Sequence, residues 1–525
     1  MKTFRYILFS LVLGSVSGAI NHTVFAREDE VKLVVHEIEG AHHLSCDISG
    51  EFVIVGGPLL NKPRNDNAVI FKNDGKKWEK QVELFPKVGD PPETFGWSVG
   101  ISGTTAIIGQ PFASSVSIFT QGANNWEGRV KLSGEDTKAA DAFGKAVYID
   151  RNTAVVGSPK DDDAGSNSGS AYIFEIDEGI WRQQAKLVAR DLAKRDAFGE
   201  AVVLRGGTIV VGAPAHAHSG KTSAGAAYVF VREGETWVQQ AKLTADDPGQ
   251  GDGFGTSVAL GGNTIFVGAP FHDAGGKEDA GAAYIFVPNG ATWKQHAKLS
   301  AKDAGKDHNF GSGVAVDGNI AIVGAGGAKE AAPSSGAAYG FARVDGVWEA
   351  RKKVVPKEGG ENFRFGLAVA MSTNTVVVSS HSVEMDRGKN KRHTDGAVAY
   401  VYNSVTDFGT PPFAVEPFGL RVTTLGKVKH TALLQNFPNP FNPETWLPYH
   451  LASEAHVTFR IYNVQGQLTR ELDLGIQKAA GYLTRETAAY WDGRDQVGET
   501  VSSGVYFYTL QAGPFQATRR MLILK

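Results

Sequence analysis

The chain has 525 residues, which is too many for a single hydrophobic core of ordinary size. We therefore expect at least two domains or a large repeat array. Its 53 Lys and Arg residues against 56 Asp and Glu residues give a net charge of −3, a balance that predicts neither nucleic acid nor an anionic membrane surface as a partner. The single cysteine, Cys46, excludes a disulfide framework and a cysteine-based metal site.

The N-terminus reads MKTFRYILFSLVLGSVSGAINHTVFA. Lys2 and Arg5 precede an apolar run, and small or apolar residues follow at 24–26. This pattern is typical of a secretory signal peptide over residues 1–26, cleaved after Ala26, with a short membrane anchor as the alternative. Since no other stretch is apolar and long enough to cross a bilayer, we expect an exported mature chain with no membrane-spanning segment.

Three marks then recur in a fixed order: a Phe-Gly pair, a strand that ends in glycine, and a tryptophan. The Phe-Gly pairs begin at Phe95, Phe143, Phe198, Phe254, Phe310 and Phe365. The strand ends are Gly56, Gly109, Gly157, Gly212, Gly268 and Gly324, with Ser379 in the seventh place. The tryptophans are Trp78, Trp126, Trp181, Trp237, Trp293 and Trp348, at spacings of 48, 55, 56, 56 and 55. A period of this size predicts the blades of a β-propeller.

Each unit has the pattern of four short strands. Around Gly268 these are SVALGG, NTIFVGAP, GAAYIFV and TWKQHAKL, which are rich in β-branched and aromatic residues. A four-stranded sheet of this size cannot bury both faces alone, so the sheets must stack in a ring. We expect the Phe of Phe-Gly, the Tyr of GAAY and the Trp to pack between blades, and the glycines to permit close backbone approach.

The predicted number of blades is seven. Seven strand ends occur, but only six copies of the fourth strand, which typically ends in Lys-Leu, follow the first strand end. The seventh copy is Lys32-Leu33, which precedes it. We therefore predict an all-β chain with a seven-bladed β-propeller over residues 27–405, in which the N-terminal strand completes the last blade and removes the open edges.

The segments DAFG…VVGSP…GSAYIF, DAFG…VVGAP…GAAYVF and DGFG…FVGAP…GAAYIF resemble FG-GAP repeats, the units of integrin α-subunit propellers and of many bacterial exported proteins. The resemblance covers residues 31–403 and implies a fold rather than a function. In integrins, calcium loops of the DxDxDG type lie between the first and second strands. This chain has tight turns there instead, such as SGT at 102–104 and DGN at 317–319, so the resemblance does not extend to integrin-type calcium binding.

The long connections are expected on the opposite face of the ring, where loops on a rigid scaffold usually bind. They join the second and third strands, as at 160–168 and 215–224, or successive blades, as at 244–253 and 300–309. Integrins carry ligand contacts on this face, and the resemblance implies the same here. The candidate ligand-binding residues are Asp161, Asp162, Asp163, His216, His218, Asp246, Asp247, His272, Asp273, Asp307 and His308.

Some of these loops resemble chemical sites only in part. The SGKT at 219–222 lacks the glycine of a phosphate-binding loop at Ala215, and a strand pattern follows where a helix is needed. His216 and His218 are expected to be solvated loop histidines rather than metal ligands, because no carboxylate–histidine pattern recurs. The three aspartates at 161–163 are expected to form an acidic turn rather than a cation site. We predict no cofactor and no metal.

No HExxH, GxSxG or cysteine nucleophile is recognisable, so the sequence does not predict an enzyme. The alternative is a polysaccharide-acting enzyme in the central mouth of the propeller. Paired acids converging there at general acid–base distance would favour it.

After Tyr402 the repeat pattern ends, and residues 406–430 read as a proline-containing linker. Residues 431–525 follow, with NFPNPFNP, HVTFRIYNVQGQL, WDGRD and SSGVYFYTL, and their alternation predicts a small Ig-like β-sandwich. These motifs resemble the C-terminal sorting domain of type IX secretion cargo and the related hook-capping-type Ig-like domain. The resemblance implies a role in secretion or surface attachment, with a plain Ig-like spacer as the alternative.

The sequence as a whole predicts a bacterial secreted or cell-surface protein for binding or adhesion. The propeller is expected to recognise an extracellular glycan, matrix polymer or protein, while the C-terminal domain engages the secretion machinery. A structural surface-layer component remains a further alternative.

Overall fold

The computed structural model describes residues 31–34, 44–58, 67–75, 77–86, 94–122, 125–329, 334–356, 363–373, 375–381, 384–386, 391–393, 397–403, 431–434, 436, 444–482 and 488–523. Within these residues the chain is all-β, and its only helical segments are two 3-10 turns, Pro111–Ala113 and Ala274–Gly276. No helix in this part of the chain could cross a membrane. The predicted signal peptide at 1–26 and the linker at 406–430 lie outside the described residues.

The described strands between 31 and 403 form seven four-stranded antiparallel sheets, numbered 1 to 7 here, and one small separate hairpin. Strand β1 is Val31–Val34. Sheet 1 contains β2 (Ser45–Ser49), β3 (Phe52–Gly56), β4 (Ala68–Asn73) and β5 (Trp78–Leu84), and sheet 2 contains β6 (Ser98–Ser102), β7 (Thr105–Gln110), β8 (Ser115–Gln121) and β9 (Trp126–Leu132). Sheet 3 contains β10 (Ala146–Asp150), β11 (Thr153–Ser158), β12 (Ser170–Asp177) and β13 (Ile180–Leu187), and sheet 4 contains β14 (Ala201–Arg205), β15 (Thr208–Ala213), β16 (Ala226–Glu233) and β17 (Thr236–Leu243).

Sheet 5 contains β18 (Ser257–Gly261), β19 (Thr264–Ala269), β20 (Ala282–Asn289) and β21 (Thr292–Leu299), and sheet 6 contains β22 (Phe310–Asp317), β23 (Ile320–Ala325), β24 (Ala337–Val344) and β25 (Val347–Val354). Sheet 7 contains β26 (Val369–Ser372), β27 (Thr375–His381), β30 (Ala397–Asn403) and β1. The separate hairpin is formed by β28 (Glu384–Asp386) and β29 (Lys391–His393).

The second strands are buried on both of their faces. Val210 and Val211 are neighbours in β15 and therefore point to opposite sides of sheet 4, yet both are fully buried. Neighbouring sheets must therefore cover each other. The cluster around Phe198 joins side chains of sheets 3 and 4 in this way. Repeated four-stranded sheets stacked face to face are the packing of a β-propeller.

The recurring marks lie at the junctions between sheets, as predicted. The Phe of every Phe-Gly pair is fully buried. Trp126 packs edge-on against Phe52 of the preceding sheet, with 5.6 Å between ring centroids. A Cβ on Gly212 would lie 2.0 Å from the carbonyl oxygen of Gly255 in the loop that leads into the next sheet, so the two backbones touch where no side chain fits.

First and second strands are joined by two-residue turns, which confirms the predicted hairpins. In sheet 4 the turn is Gly206-Gly207, with φ values of +56° and +79°. Positive φ at both positions is the geometry of a type I′ turn, whose twist matches that of the flanking strands. Turns this short do not provide the DxDxDG ligand set, so these connections do not fit the integrin calcium ion.

Sheet 7 combines strands from both ends of the repeat region. Strand β30 pairs with β27 on one side and with β1 on the other, where Val31 lies opposite Val401. Leu33 is buried in this sheet, with 3% of its surface exposed. Ser379, in place of the strand-end glycine, uses its hydroxyl to bond the backbone N–H and carbonyl of Ala368 at 3.0 and 3.1 Å.

The first strands of sheets 1 to 7 contact one another in chain order, and β26 contacts β2. Their side chains bond across these contacts. Asp47 of sheet 1 accepts a hydrogen bond from the backbone N–H of Ile101 in sheet 2 at 2.8 Å. Arg205 of sheet 4 reaches Asp317 of sheet 6 at 3.3 Å, past the first strand of sheet 5. Carboxylates on the inner strands therefore tie sheets together.

The carboxyl group of Asp47 makes stability depend on pH in an unusual direction. Burial raises its pKa to about 7, although the amides of Ile101 and Ile48 donate to it and oppose the rise. Because the unfolded chain ionises this group near pH 4, its contribution to stability is complete below that pH and is lost as pH rises through 7. We expect a loss of about 2 kcal/mol between pH 5 and pH 8, after allowance for relaxation.

Urea unfolding at pH 5 and pH 8 checks this expectation when wild type is compared with Asp47→Asn. The variant cannot ionise, so its free energy of unfolding should change less over this interval, although it loses one backbone hydrogen bond at both pH values. If the free energy of unfolding changed equally with pH in the two proteins, Asp47 would not be the group responsible.

The C-terminal segment forms three further sheets. One contains β31 (Ala432–Leu433), β33 (Tyr449–His450) and β36 (Gly481–Tyr482), and a second contains β32 (Thr445–Leu447) and β37 (Ala489–Trp491). The third contains β34 (Ala455–Tyr462), β35 (Leu468–Gln477), β38 (Gly504–Ala512) and β39 (Phe515–Ile523), in the order β35-β34-β38-β39. The predicted strands HVTFRIYNV and GVYFYTL correspond to β34 and β38.

This segment has its own hydrophobic core, with Trp491, Tyr449 and Tyr508 almost fully buried. The hydroxyl of Tyr508 donates to the carbonyl of Leu434 at 2.7 Å and accepts from the N–H of Asn436 at 2.8 Å. These bonds fasten the entry of the segment to the four-stranded sheet. Most of NFPNPFNP lies outside the described residues.

Candidate functional site

The loops between second and third strands and those between successive sheets lie together on one side of the stacked sheets, which we call the loop face. Its described loops in sheets 3 to 6 are 133–145, 159–169, 188–200, 214–225, 244–256, 270–281, 300–309 and 326–329 with 334–336. Backbone bonds join them in pairs. Gly251 donates to Thr222 at 2.9 Å and Phe254 to Ala224 at 3.0 Å. The loop face is therefore held in one shape by main-chain bonds.

A lysine is enclosed by carboxylates beneath the loop face of sheet 3. The ammonium of Lys186 lies 2.6 Å from Asp136, 3.0 Å from Asp161 and 2.5 Å from Asp163. Tyr172 donates to Asp136 at 2.8 Å. Burial opposes the charge of Lys186, but the bonds to Asp136 and Asp163 outweigh it and raise the lysine pKa. The same lysine and tyrosine bonds outweigh burial at Asp136 and lower its pKa.

Sheet 5 repeats this cluster with a histidine in the place of Asp161. Lys298 lies 2.6 Å from Asp247 and 2.6 Å from Nε2 of His272, and Nδ1 of His272 lies 2.7 Å from Asp252. Tyr284 donates to Asp247 at 2.9 Å. Asp247 and Asp252 lie in the loop before the sheet, His272 in the loop between its second and third strands, and Lys298 in its fourth strand. The cluster therefore fastens two loops to the fourth strand.

Sheet 4 has the same arrangement, in which His216 is bonded to Asp196 at 2.6 Å and to Lys242 at 2.7 Å. His216 is only 6% exposed. The expectation of a solvated loop histidine is therefore wrong for His216, because its ring links a buried carboxylate to the strand lysine. His218 is partly exposed and contacts the hydroxyl of Ser219 at 3.0 Å.

Sheet 6 has a shorter version of the cluster. Lys353 lies 2.5 Å from Asp303, and Tyr339 donates to the same carboxylate at 3.0 Å. Ala328 occupies the position of His272, and His308 that of Asp252. In sheet 4 the matching pair is Lys242 and Asp191, which lie 2.6 Å apart. Four successive sheets thus share a lysine–aspartate pair, to which a tyrosine donates in sheets 3, 5 and 6, and this cluster was not predicted from the sequence.

The predicted ligand-binding residues divide into buried and accessible groups. Asp161, His216, His272 and His308 are buried, so a ligand on the loop face would not reach their side chains directly. Asp162, Asp163, Asp246, Asp247, Asp273, Asp307 and His218 are exposed or partly exposed, and the structure does not bring them to a single point. The predicted acidic turn is present, since Asp161 accepts from the N–H of Asp163 at 3.0 Å and Asp162 from that of Asn167 at 2.7 Å.

The SGKT segment forms a tight turn, in which His218 and Lys221 exchange backbone hydrogen bonds, and β16 follows it. It therefore has neither the loop nor the helix of a phosphate site. Among the described residues, no group of three or more His, Cys, Asp or Glu side chains is placed to hold a metal ion.

Loss of Lys186 in sheet 3 is expected to destabilise the protein more than loss of the equivalent Lys353 in sheet 6. Lys186→Met leaves the buried Asp161 without its cation, and we expect a cost of about 2 kcal/mol, because the other two carboxylates can turn to solvent. Lys353→Met removes the cation from Asp303, which is half exposed and can be solvated, and about 0.5 kcal/mol is expected for this pair. Urea unfolding of both variants checks the order, and equal costs would contradict it.

A cleft of about 590 Å³ opens on the loop face where sheets 2, 3 and 4 meet. The side chains that give it chemical character are Trp97, Phe112, Lys145, Lys160, Arg195 and Glu200, and the rest of the lining is proline, alanine and asparagine. This volume lies within the usual range of ligand pockets. None of the six residues was predicted from the sequence as a ligand contact.

One wall of the cleft is aromatic. The rings of Trp97 and Phe112 are tilted by 30°, with their centroids 6.1 Å apart, and Phe112 is 57% exposed. The ammonium of Lys145 lies 4.8 Å from the Trp97 ring, within cation–π range, and 3.1 Å from Glu200. Trp97 is thus fixed from one side by Lys145, while Phe112 presents a ring surface to solvent.

The other repeats show that the fold does not require these side chains. The residue after Phe-Gly is Trp97, Lys145 or Glu200 at the cleft, but Thr256 or Ser312 in sheets 5 and 6. The position of Arg195, three residues before the phenylalanine, is occupied by Ala140 and Gly251 in the neighbouring repeats. Phe112 and Lys160 share one repeat position, which is occupied by Ala215, Phe271 and Gly327 in sheets 4, 5 and 6. Comparison of repeats at equal register is the signal by which the sequence could have identified this cleft.

Comparison with known proteins agrees with the repeat pattern. A family model described as FG-GAP repeat matches residues 78–123, 126–174, 181–230, 237–286, 293–341 and 348–402, together more than half of the chain. No curated protein sequence matches the chain significantly. Among solved structures, the β-propeller domain of Myceliophteria thermophila Cps50 (Swd1) is 11% identical, with a TM-score of 0.45 over 70% of this chain and 99% of that one. At that level of similarity, the fold assignment rests on the strand pairing and on the six matched repeats. The chain belongs to the FG-GAP repeat family.

Proposed function

We propose that this protein is exported and binds an extracellular glycan, matrix polymer or protein through the cleft on its loop face. The observation that carries the proposal is the set of cleft side chains, which combines the exposed aromatic ring of Phe112 with the cations Lys160 and Arg195. An exposed aromatic ring beside two cations in a cleft between rigid loops is a surface suited to binding. The inner-strand carboxylates described above are bonded to backbone or arginine, which favours binding over catalysis in the central mouth.

The proposal includes a closed ring of seven blades. The continuous contacts between first strands, including β26 with β2, and the pairing of β1 with β30 support it. In a closed ring every blade is covered on both faces by its neighbours, so an exported chain with one cysteine can gain its stability from packing.

For the C-terminal segment we propose an Ig-like domain that directs secretion or surface attachment. Its separate hydrophobic core supports an independent domain, and the resemblance of its motifs to type IX sorting domains supports the role. A periplasmic reporter fused to residues 406–525 should appear outside the outer membrane of a host with that secretion system. Retention of the fusion in the periplasm, with the reporter folded, would contradict the sorting role.

A glycan and matrix-protein array tests the binding function. The full chain should bind a limited set of ligands, and Phe112→Ala should lose that binding. Phe271→Ala is a matched control, because Phe271 occupies the same repeat position in sheet 5, is 46% exposed and lies outside the cleft. Equal binding by wild type and Phe112→Ala would move the site away from the cleft. Variants of His216 or Asp161 are less informative, because their burial couples binding to stability.

A further inference from the structure

We infer that the ligand of the cleft is a negatively charged polysaccharide, an inference that rests on the binding function proposed above. The first reason is charge. Lys145 is neutralised by Glu200, whereas the described residues provide no ion-pair partner for Lys160 or Arg195, which line the same cleft. Two cations without carboxylate partners on one ligand surface favour an anionic group, and the arginine fork suits carboxylate or sulfate.

The second reason is the exposed ring. A sugar ring has an apolar C–H face that packs against the negative face of an aromatic ring. Phe112 offers such a face, with 57% of its surface exposed, and Trp97 supports it from beneath. A ligand with flat apolar faces and regularly spaced anions matches the combination of ring and cations.

The third reason separates a sugar chain from a peptide. Extended peptides are usually held by main-chain hydrogen bonds to an unpaired edge. In the cleft, Pro111 and Pro159 have no N–H, and the amides of eight other lining residues already donate within the protein. These eight are Trp97, Phe112, Lys145, Lys160, Asn167, Arg195, Ala197 and Glu200. Recognition must therefore come mainly from side chains, as in binding to a polysaccharide.

The charge on the rest of the loop face limits where such a polymer can run. Asp273, Glu278, Asp279 and Asp307 lie together between sheets 5 and 6. Burial, and then the charges of Asp273 and Asp307, raise the pKa of Asp279. Lys306 pairs with Glu278 and Lys329 with Asp307, which leaves Asp273 and Asp279 as the carboxylates without a lysine partner among the described residues. Their charge disfavours a polyanion in this region, so we expect the polymer to cross the loop face at the cleft.

The test measures binding of the purified full chain to two anionic polymers and their neutral counterparts. The pairs are polygalacturonate with its methyl ester, and dextran sulfate with dextran. We expect at least one anionic member to bind about tenfold more tightly than its neutral partner, and more weakly at higher salt. Lys160→Gln with Arg195→Gln should remove that preference. Lys294→Gln with Lys302→Gln removes the same charge from sheet 5 and the loop that follows it, and should not.

The outcomes separate this inference from the function it rests on. Binding of the neutral polymers that depends on Phe112 but not on Lys160 and Arg195 would overturn the inference and leave the proposed function intact. Equal binding of polyglutamate, dependent on the same two cations, would also overturn it, because the cleft would then recognise anions of any backbone. If none of these probes binds, but the array detects a protein ligand lost in Phe112→Ala, the inference fails and the function stands.

Discussion

Gly212→Ala is expected to destabilise the protein by about 4 kcal/mol, beyond the usual range for one added methyl group. The added Cβ would lie 2.0 Å from the carbonyl oxygen of Gly255 and 2.9 Å from its carbon. Both are backbone atoms of the loop that leads into sheet 5, so no side chain can turn away, and the junction between sheets 4 and 5 must open. The φ angle of Gly212 is not in the left-handed region, so the effect arises from space alone.

Gly326→Ala is the matched control. Gly326 is also buried and also has an ordinary φ angle, but its Cβ would meet its nearest atom at 3.7 Å, an ordinary contact. We expect this substitution to change stability by less than about 1 kcal/mol. Calorimetric unfolding of both variants measures the difference, and similar transition temperatures would contradict the proposed backbone contact.

The repeat could be predicted from the sequence because each of its recurring residues has a single packing role. Phenylalanine and tryptophan fill the junctions, and the strand-end glycines admit a neighbouring backbone, so they recur wherever two sheets meet. The pairing of β1 with β30 was also accessible, because counting fourth strands leaves Lys32-Leu33 as the missing copy. These predictions depend on local pattern and on order along the chain.

The lysine clusters could be predicted from the sequence only in part. Tyr284 and Lys298 lie directly opposite each other in β20 and β21, so the register of a predicted hairpin would place them together. Their third member, Asp247, comes from the loop before the sheet, and its approach depends on how successive sheets stack. His216 was misjudged for the same reason. Its correspondence with Asp161 and His272 in the aligned repeats was the available signal.

The cleft could not be predicted, because it has no motif of its own. Trp97, Phe112 and Arg195 come from three loops and meet only once the sheets are stacked. A search for recurring residues passes over positions such as that of Arg195, whose side chain has no counterpart in the neighbouring repeats. In a repeat protein, conserved positions within the repeat specify packing, and the exceptions on the loop face are where binding can evolve.

Deletion of residues 27–40 should have the largest effect of any change considered, and should abolish a cooperative thermal transition of the propeller or lower it by about 10 °C or more. Without β1, strand β30 loses a ladder of four residue pairs and becomes an open edge. The side chain of Leu33 leaves a cluster that also contains Val53 and Val401, so the junction between sheets 7 and 1 loses part of its core.

A substitution pair tests the same strand without shortening the chain. Leu33→Asp places a charge in the buried position and should cost about 3 kcal/mol, whereas Val31→Asp, at a position 37% exposed in the same strand, should cost less than about 1 kcal/mol. A synthetic peptide of residues 27–40 should restore part of the lost stability of the deletion variant, because β1 joins the sheet only through its edge. An unchanged transition in the deletion variant would mean that the fold of the propeller does not depend on this strand.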